Sequence, residues 1–374
     1  MFDPQSLVRP HIVEMPAYEP ILPFEVLSRQ LGRQVDEIIK LDANENPYGP
    51  LPAVREALAN MPFAHIYPDP GSQDLRAALA AHHQVPLDNL LAGAGADELI
   101  DLVVRLVISP GDAVINCPPT FGMYTFDSDL QAAQLIAVPR REDFSLDVEG
   151  IERAVEAYRA RLIFIASPNN PDGSLVDRDV IDRLLELPLL VVLDEAYVEF
   201  APPGSSLLSE AARRSNLIVL RTFSKWAGLA GLRVGYGVFP GRLMPHLWKI
   251  KQPYNVSVAA SAAAIVSLRH AGELDGVGRR LLAERQRLYH GLQTISYLRP
   301  YPSRANFILC RVVGRDAGGL KKQLAQAGIL VRYFDKPGLQ SCIRISVGKP
   351  EHTDALLENL RSLESANAQR RDHA

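Results

Sequence analysis

The stretch Arg221-Thr-Phe-Ser-Lys-Trp-Ala-Gly-Leu-Ala-Gly-Leu-Arg-Val-Gly-Tyr236 begins where an apolar run, Leu217–Leu220, ends. The run reads as a buried strand over 217–221, which puts Lys225 on a loop at the strand's carboxyl edge. In open α/β sheets ligands sit outside those edges. Lysine is the side chain suited to Schiff-base chemistry with a carbonyl group. Thr222, Ser224 and Arg233 bracket it with hydroxyl and guanidinium donors that suit a phosphate. Gly228, Gly231, Gly235 and Gly237 allow close backbone approach. Taken alone, the same stretch also reads as a surface lysine in a glycine-rich loop, so its neighbours decide.

Short apolar runs alternate with helical segments on either side of it. Candidate strands are 89–92, 113–116, 134–138, 162–166, 189–193, 217–221 and 235–238. Candidate helices are 74–82, 96–108, 147–158, 177–185 and 206–214. Alternation of apolar strands with helices predicts an α/β domain, with a mostly parallel sheet covered on both faces. After Pro253 a long helical region over 258–292 is followed by three short strands near 306–311, 329–333 and 342–347, a helix around 321–327 and a last helix over 353–363. That pattern reads as a smaller α+β domain, with a polar, frayed tail over 365–374. Ahead of both lies an arm. Its prolines, Pro4, Pro10, Pro16, Pro20 and Pro23, predict an extended start, and a helix from Pro23 to Leu31 stops at Gly32. The expected division is therefore an arm over 1–38 joining the small domain, a large domain over 39–257 that carries the site, and a small domain over 258–374.

Composition narrows the class of function. The chain of 374 residues has 40 basic and 43 acidic side chains and a net charge of −3, without the basic excess of a nucleic-acid partner. Cys117, Cys310 and Cys342 lie far apart and form neither a disulfide framework nor a metal-binding pair, so reduced buried thiols and a cytoplasmic protein are expected. The charged, proline-rich start lacks the apolar core of a signal peptide. No apolar stretch approaches the roughly 18–20 residues of a membrane span.

Three further strand ends carry chemistry. Leu193-Asp-Glu-Ala-Tyr197 puts a carboxylate, Asp194, at the tip of a buried strand. A buried charge is costly unless paired, and a protonated pyridine nitrogen is a suitable partner; a strand-end cap is the competing reading. Ser167-Pro-Asn-Asn-Pro-Asp-Gly173 places Asn170 where its amide could donate to a ring oxygen, or forms only a turn. Gly93-Ala-Gly-Ala-Asp-Glu98 runs into a helix whose first amides can hold phosphate. It is not a dinucleotide fingerprint, because Glu98 stands where the last glycine would be, and a nicotinamide dehydrogenase is disfavoured accordingly.

With these four strand ends together, the chain resembles the fold-type I, aspartate-aminotransferase-like enzymes that use pyridoxal 5′-phosphate (PLP), and among them the histidinol-phosphate branch. The resemblance runs from Tyr18 to about Gly348. It is carried by Leu41-Asp-Ala-Asn-Glu-Asn-Pro-Tyr-Gly49, Tyr67-Pro-Asp-Pro70, Gly95-Ala-Asp-Glu98, Pro118-Pro-Thr-Phe-Gly-Met-Tyr124, Pro168-Asn-Asn-Pro171, Asp194-Glu-Ala-Tyr197, Arg221-Thr-Phe-Ser-Lys225, Ala230-Gly-Leu-Arg-Val-Gly-Tyr236, Pro253-Tyr-Asn-Val256 and Ile343-Arg-Ile-Ser-Val-Gly348.

The resemblance implies a role for each residue. Lys225 would bind PLP and shuttle a proton, Asp194 would pair with the pyridine nitrogen, and Tyr197 and Asn170 would hold the ring oxygen. The amides of Ala96 and Asp97, with Thr222, Ser224 and Arg233, would hold the phosphate, and Phe121 would stack on the ring. Tyr67 would reach the neighbouring subunit's cofactor, implying a homodimer. Tyr18, Asn44, Arg332 and Arg344 would contact substrate, the two arginines clamping its anionic ends, and no metal is implied. The implied substrates are L-glutamate/2-oxoglutarate and L-histidinol phosphate. Phe121 departs from the family's usual Tyr, and Asp172 from its usual Thr, the latter a turn detail. An aromatic or broad-specificity aminotransferase and a threonine-phosphate decarboxylase share the pattern. A PLP-binding regulatory module would need a DNA-binding segment that is not seen. Borohydride reduction of the cofactor-loaded protein should attach the cofactor to Lys225; peptide mapping that found it on another lysine would overturn the assignment.

Overall fold

A computed structural model of the chain describes residues 2–17 and 22–371. Its short apolar runs form twelve strands among those residues: β1 (Ile39–Leu41), β2 (Leu90–Gly93), β3 (Ala113–Asn116), β4 (Gln134–Ala137), β5 (Leu162–Ala166), β6 (Leu190–Asp194), β7 (Leu217–Thr222), β8 (Gly235–Val238), β9 (Leu298–Pro300), β10 (Phe307–Val312), β11 (Ile329–Tyr333) and β12 (Cys342–Ser346).

Seven strands make one sheet in the order β2-β8-β7-β6-β5-β3-β4. Every pairing from β7 to β4 is parallel, and β8 alone runs against its neighbours β2 and β7. Side chains alternate along the strands, so the central ones feed two cores. Ile163, Ile165, Val191, Leu193 and Val219 meet the helices Gln73–His83, Val148–Tyr158 and Arg178–Leu185 through Leu75, Leu79, Ile151, Val155, Ile181 and Leu184. Leu162, Phe164, Val192, Ile218 and Leu220 meet the helices Ala96–Val107, Met123–Leu130 and Met244–Ile250 through Leu99, Val103, Tyr124 and Leu247. Burial on both faces is what makes these strands continuous apolar runs, and why they are legible in the sequence.

A second sheet, β1-β11-β12-β10-β9, has its own core. Here the chain departs from the expected division at residue 39. β1 pairs parallel with β11, Leu41 opposite Val331, and Leu41 is buried among Ile329, Val331 and Ile345. Burial of that one face draws residues 39–41 into the second sheet. The 258–292 region is two helices, Val258–Arg269 and Ala271–Gln293, because His270 leaves helical geometry between them. The longer helix joins the cores: Leu274, Val277 and Leu281 belong to that of the large sheet, Leu288 and Leu292 to that of the small one.

Local expectations fail in two places. Pro4 and Pro10 each sit at the start of a helical turn, Pro4–Leu7 and Pro10–Glu14, where the sequence suggested extended chain; proline's fixed φ suits a first helical position. The helix expected over 206–214 is a single turn, Leu208–Ala211, since the Ser206 hydroxyl and the Leu207 amide both donate to Glu195, at 2.6 Å each. The arm helix Phe24–Leu31 does end on Gly32 in the left-handed region, at φ 63°.

The loop after Lys225 lies directly on backbone. Gly228 has φ +70°, and a Cβ there would sit 2.6 Å from the carbonyl carbon and oxygen of Gly49. Neither backbone nor φ can relax cheaply, so Gly228→Ala should cost about 2–4 kcal/mol of stability. A clear fall of the urea unfolding midpoint, followed by circular dichroism, is the expected outcome.

Candidate active site

β5, β6 and β7 lie side by side in parallel, so residues just past their ends converge. Asp194 ends β6. It is 5% exposed, and burial pushes its carboxyl up to about 6 against two hydrogen bonds that favour the charged form. The Tyr124 phenol donates to Oδ2 at 2.6 Å and the Ala196 amide to Oδ1 at 3.0 Å. The cap and the site are thus one residue: one oxygen orders the next turn and the other faces Tyr124. Both donors are neutral, so a cation is still the missing stabilising partner of the ionised form.

Tyr124 comes from the helix Met123–Leu130, is fully buried, and stacks on Phe164 of β5 with ring centroids 4.8 Å apart. Sequence reading quoted it in a motif but gave it no role. Its helix was not foreseen, and no spacing links it to a residue 70 positions away. Phe121, one turn earlier, meets Tyr124 edge-on at 5.6 Å.

At the end of β7 the Thr222 hydroxyl donates to Ser224 Oγ at 2.9 Å, and the Ser224 amide donates back to Thr222 Oγ1 at 3.1 Å. Lys225 Nζ donates to the Ala43 carbonyl at 3.3 Å and lies 5.8 Å from the centroid of the Tyr197 ring. Opposite, the helix Ala96–Val107 begins with amides that have no acceptor within the helix. Glycine lets these parts meet: a Cβ on Gly235 would stand 2.6 Å from the Ala96 nitrogen, and one on Gly95 would stand 2.5 Å from Arg233 Nη2. Arg233 donates to Asp97 at 2.8 Å in a half-exposed pair, and such a pair is worth little and exchanges readily for a dianion.

The small sheet supplies the other wall. Arg344 of β12 donates to Asn170 Oδ1 at 2.6 Å and to the Asp42 carbonyl at 2.7 Å. The Asn170 NH₂ therefore stays a donor for something else. Arg332 of β11 is the register partner of Arg344, and Phe334 lies 5.6 and 5.5 Å from the two guanidinium groups. Asn44 is buried, donates to the Tyr197 hydroxyl at 3.1 Å and accepts from Ser346 at 3.0 Å. Since the Tyr197 oxygen accepts from Asn44, its own O–H proton points to another acceptor.

The ten large-domain residues that the sequence singled out for a cofactor within one chain all line one cavity. Arg344 and Asn44 touch two of them, Asn170 and Tyr197. Tyr67 does not join them: it is 80% exposed and stacks on Tyr254 at 4.8 Å. Tyr18 lies outside the described residues. Asp172 is buried and accepts from the Ser174 amide at 2.8 Å and from the Asn169 side chain, so it orders the turn that carries Asn170.

A lysine, an unpaired buried carboxylate and a phosphate-sized cradle at the carboxyl edge of a parallel sheet define a class of enzyme. Class I and II aminotransferases match this chain over residues 36–362, and the chain belongs to that family. It is 54% identical over 357 residues to a chloroplastic histidinol-phosphate aminotransferase of Nicotiana plumbaginifolia, covering 95% of this chain and 86% of that one. It is 50% identical over 366 residues to the histidinol-phosphate aminotransferase of Roseiflexus castenholzii, covering 96% and 98%. A crystal structure of the Sinorhizobium meliloti histidinol-phosphate aminotransferase in complex with pyridoxal-5′-phosphate superposes with a TM-score of 0.87 at 32% identity, over 96% of this chain and 98% of that one. Within the family, the chain falls among the histidinol-phosphate aminotransferases.

The uncompensated carboxylate makes a prediction about the cofactor-free protein. The folded Asp194 carboxyl titrates near 6 and the unfolded one near 3.8. Its ionisation therefore costs nothing below the lower value, and its full cost is present above the higher one. Asp194→Asn should leave cofactor-free stability unchanged at pH 3.5 and raise it by up to about 3 kcal/mol at pH 8. Urea titrations at the two pH values check this; a loss of stability at pH 8 would show that the carboxylate is already compensated.

Proposed function

We propose that the chain is a PLP-dependent aminotransferase that moves an amino group between L-glutamate/2-oxoglutarate and L-histidinol phosphate/imidazole-acetol phosphate. The observation that carries this reading is the buried Asp194 carboxylate without a cation, in the same cavity as Lys225. A protonated pyridine nitrogen fits the first, an aldehyde the second. The glycines at 95 and 235 leave the space beside Arg233 and Ala96 that a phosphate needs. PLP, when bound, supplies an electron sink for the negative charge that develops at the substrate Cα.

The chain's own groups do the rest. Asp194 holds the ring nitrogen protonated, with Tyr124 and the Ala196 amide fixing the carboxylate. Tyr197 and Asn170 donate to the ring oxygen, and Phe121 covers the ring face. The Ala96 and Asp97 amides, Thr222, Ser224 and Arg233 hold the phosphate. Lys225 Nζ would hold the proton drawn from the substrate Cα and would be the group that carries it to the cofactor's C4′. Arg344 and Arg332 hold the anionic ends of the substrates, which alternate between a γ-carboxylate and a phosphate monoester; a guanidinium donates to either in a bidentate way. Asn44 acts through Tyr197.

The reading extends to a homodimer in which Tyr67 reaches the cofactor phosphate of a second copy. Its support is exposure: Phe63, Ile66, Tyr67 and Tyr254 present large apolar surface away from the cavity. A cytoplasmic location is part of the proposal, supported by three buried free cysteines. Among the described residues, no helix is long and apolar enough to cross a membrane.

The substrate test compares L-histidinol phosphate with L-histidinol. The phosphate ester should be strongly preferred, and equal use of both would end the reading. Arg344→Ala and Arg332→Ala should each lower kcat/KM at least about tenfold for both half-reactions, as expected for loss of a charge-assisted bidentate contact. At least one of them should narrow the preference for the ester. Asp194→Asn should keep the fold but slow single-turnover amino transfer by orders of magnitude.

A further inference from the structure

Behind the Asn170 turn lies a second cavity, of about 350 Å³, which shares no lining residue with the active site. The helix Ala271–Gln293 forms one wall with Arg285, Tyr289 and His290, and the 302–304 loop forms the other with Ser303 and Arg304. The two arginines line the same cavity. Burial, and then Arg304, lower the Arg285 guanidinium to about 10. Among the described residues no carboxylate lines the cavity or forms an ion pair with either arginine. Arg285 is held in place through Nη1 alone, which donates to the carbonyls of Phe200 at 3.1 Å and Ala305 at 2.9 Å. Two like charges in a concave site, one of them held by backbone carbonyls, with no acid to relieve them, are the arrangement that an oxyanion stabilises.

We propose that this cavity binds a phosphate group, at a site separate from catalysis. Guanidinium groups from two walls, the Ser303 hydroxyl and the His290 ring offer the donors that a tetrahedral dianion takes, and the open side admits the remainder of a monoester. Its walls continue into the active site. The Arg304 amide donates to the Gly173 carbonyl at 2.8 Å, and Gly173 closes the turn that carries Asn170. Ala305, which Arg285 holds, precedes Asn306 and Phe307. Asn306 donates to the Asn44 carbonyl at 3.0 Å and Phe307 meets the Tyr197 ring edge-on. An occupant would press on the segment that supports the ring-oxygen donors.

Inorganic phosphate is the probe, measured by equilibrium dialysis against the cofactor-loaded enzyme, whose own phosphate cradle is then filled. Arg304→Gln, a change at an exposed side chain, should lower the affinity of one class of sites at least about tenfold. Arg332→Ala should leave that class intact, which separates it from binding at the substrate clamps. Phosphate should also protect Arg304 and Arg285 from phenylglyoxal in the unmutated enzyme, as read by peptide mass. Competition by glycerol phosphate would assign the site to monoesters, and its absence to the free ion; either outcome keeps the site. Phosphate binding unchanged by Arg304→Gln, or no protection of the two arginines at saturating phosphate, overturns the proposal.

Discussion

The site depends on an ion pair buried between the ends of β6 and β7. Arg221 Nε donates to Glu195 at 3.0 Å, with side chains 10% and 1% exposed, and Glu199 lies 3.6 Å from the same guanidinium. Glu195 also accepts from Ser206 and Leu207. Removing one partner of such a pair strands the other and costs about 3–5 kcal/mol. The pair fixes the two strand ends against each other one residue beyond Asp194 and one before Thr222. Asp194 and the Thr222–Ser224 turn are thereby held at a set separation. Lys225 follows three residues later, on a loop whose path is set by Gly228 against the backbone of Gly49.

The two neighbouring carboxylates divide the work. Glu195 is compensated by a guanidinium, a hydroxyl and an amide. Asp194 faces two neutral donors and is pushed up. The difference follows from strand geometry, which turns successive side chains to opposite faces of the sheet. One face holds the architecture and the other holds a charge that folding leaves unsatisfied. That charge counts against the stability of the cofactor-free fold and is open to pairing with a cation.

The small sheet closes the site by hydrogen bonds as well as by the packing of Phe307 on Tyr197. Arg344 reaches Asn170 and Asp42, Ser346 holds Asn44, and Asn306 donates to the Asn44 carbonyl. Polar links of this kind can be exchanged for substrate oxygens without exposing a core. Arg344 and Asn170 are in direct contact, so a ligand that drew on Arg344 would act on Asn170 as well.

Much of this was legible in the residues alone, because it is local. β5, β6 and β7 are buried on both faces and so read as unbroken apolar runs, and the side chain that follows each run stays at the strand's end. Among the glycines beside Lys225 and Ala96, Gly95, Gly228 and Gly235 mark close approach, and Gly231 does not. What the residues did not determine is pairing between distant segments. The partnership of Tyr124 with Asp194 spans 70 positions. The recruitment of residues 39–41 by β11 rests on burying one leucine in a core assembled from the far end of the chain. The Arg332–Arg344 register and the facing of Arg285 by Arg304 likewise exist only once strands and helices have packed. Periodicity reports which face of an element is buried; which element covers it, and which charges are left without a partner there, is decided by tertiary packing.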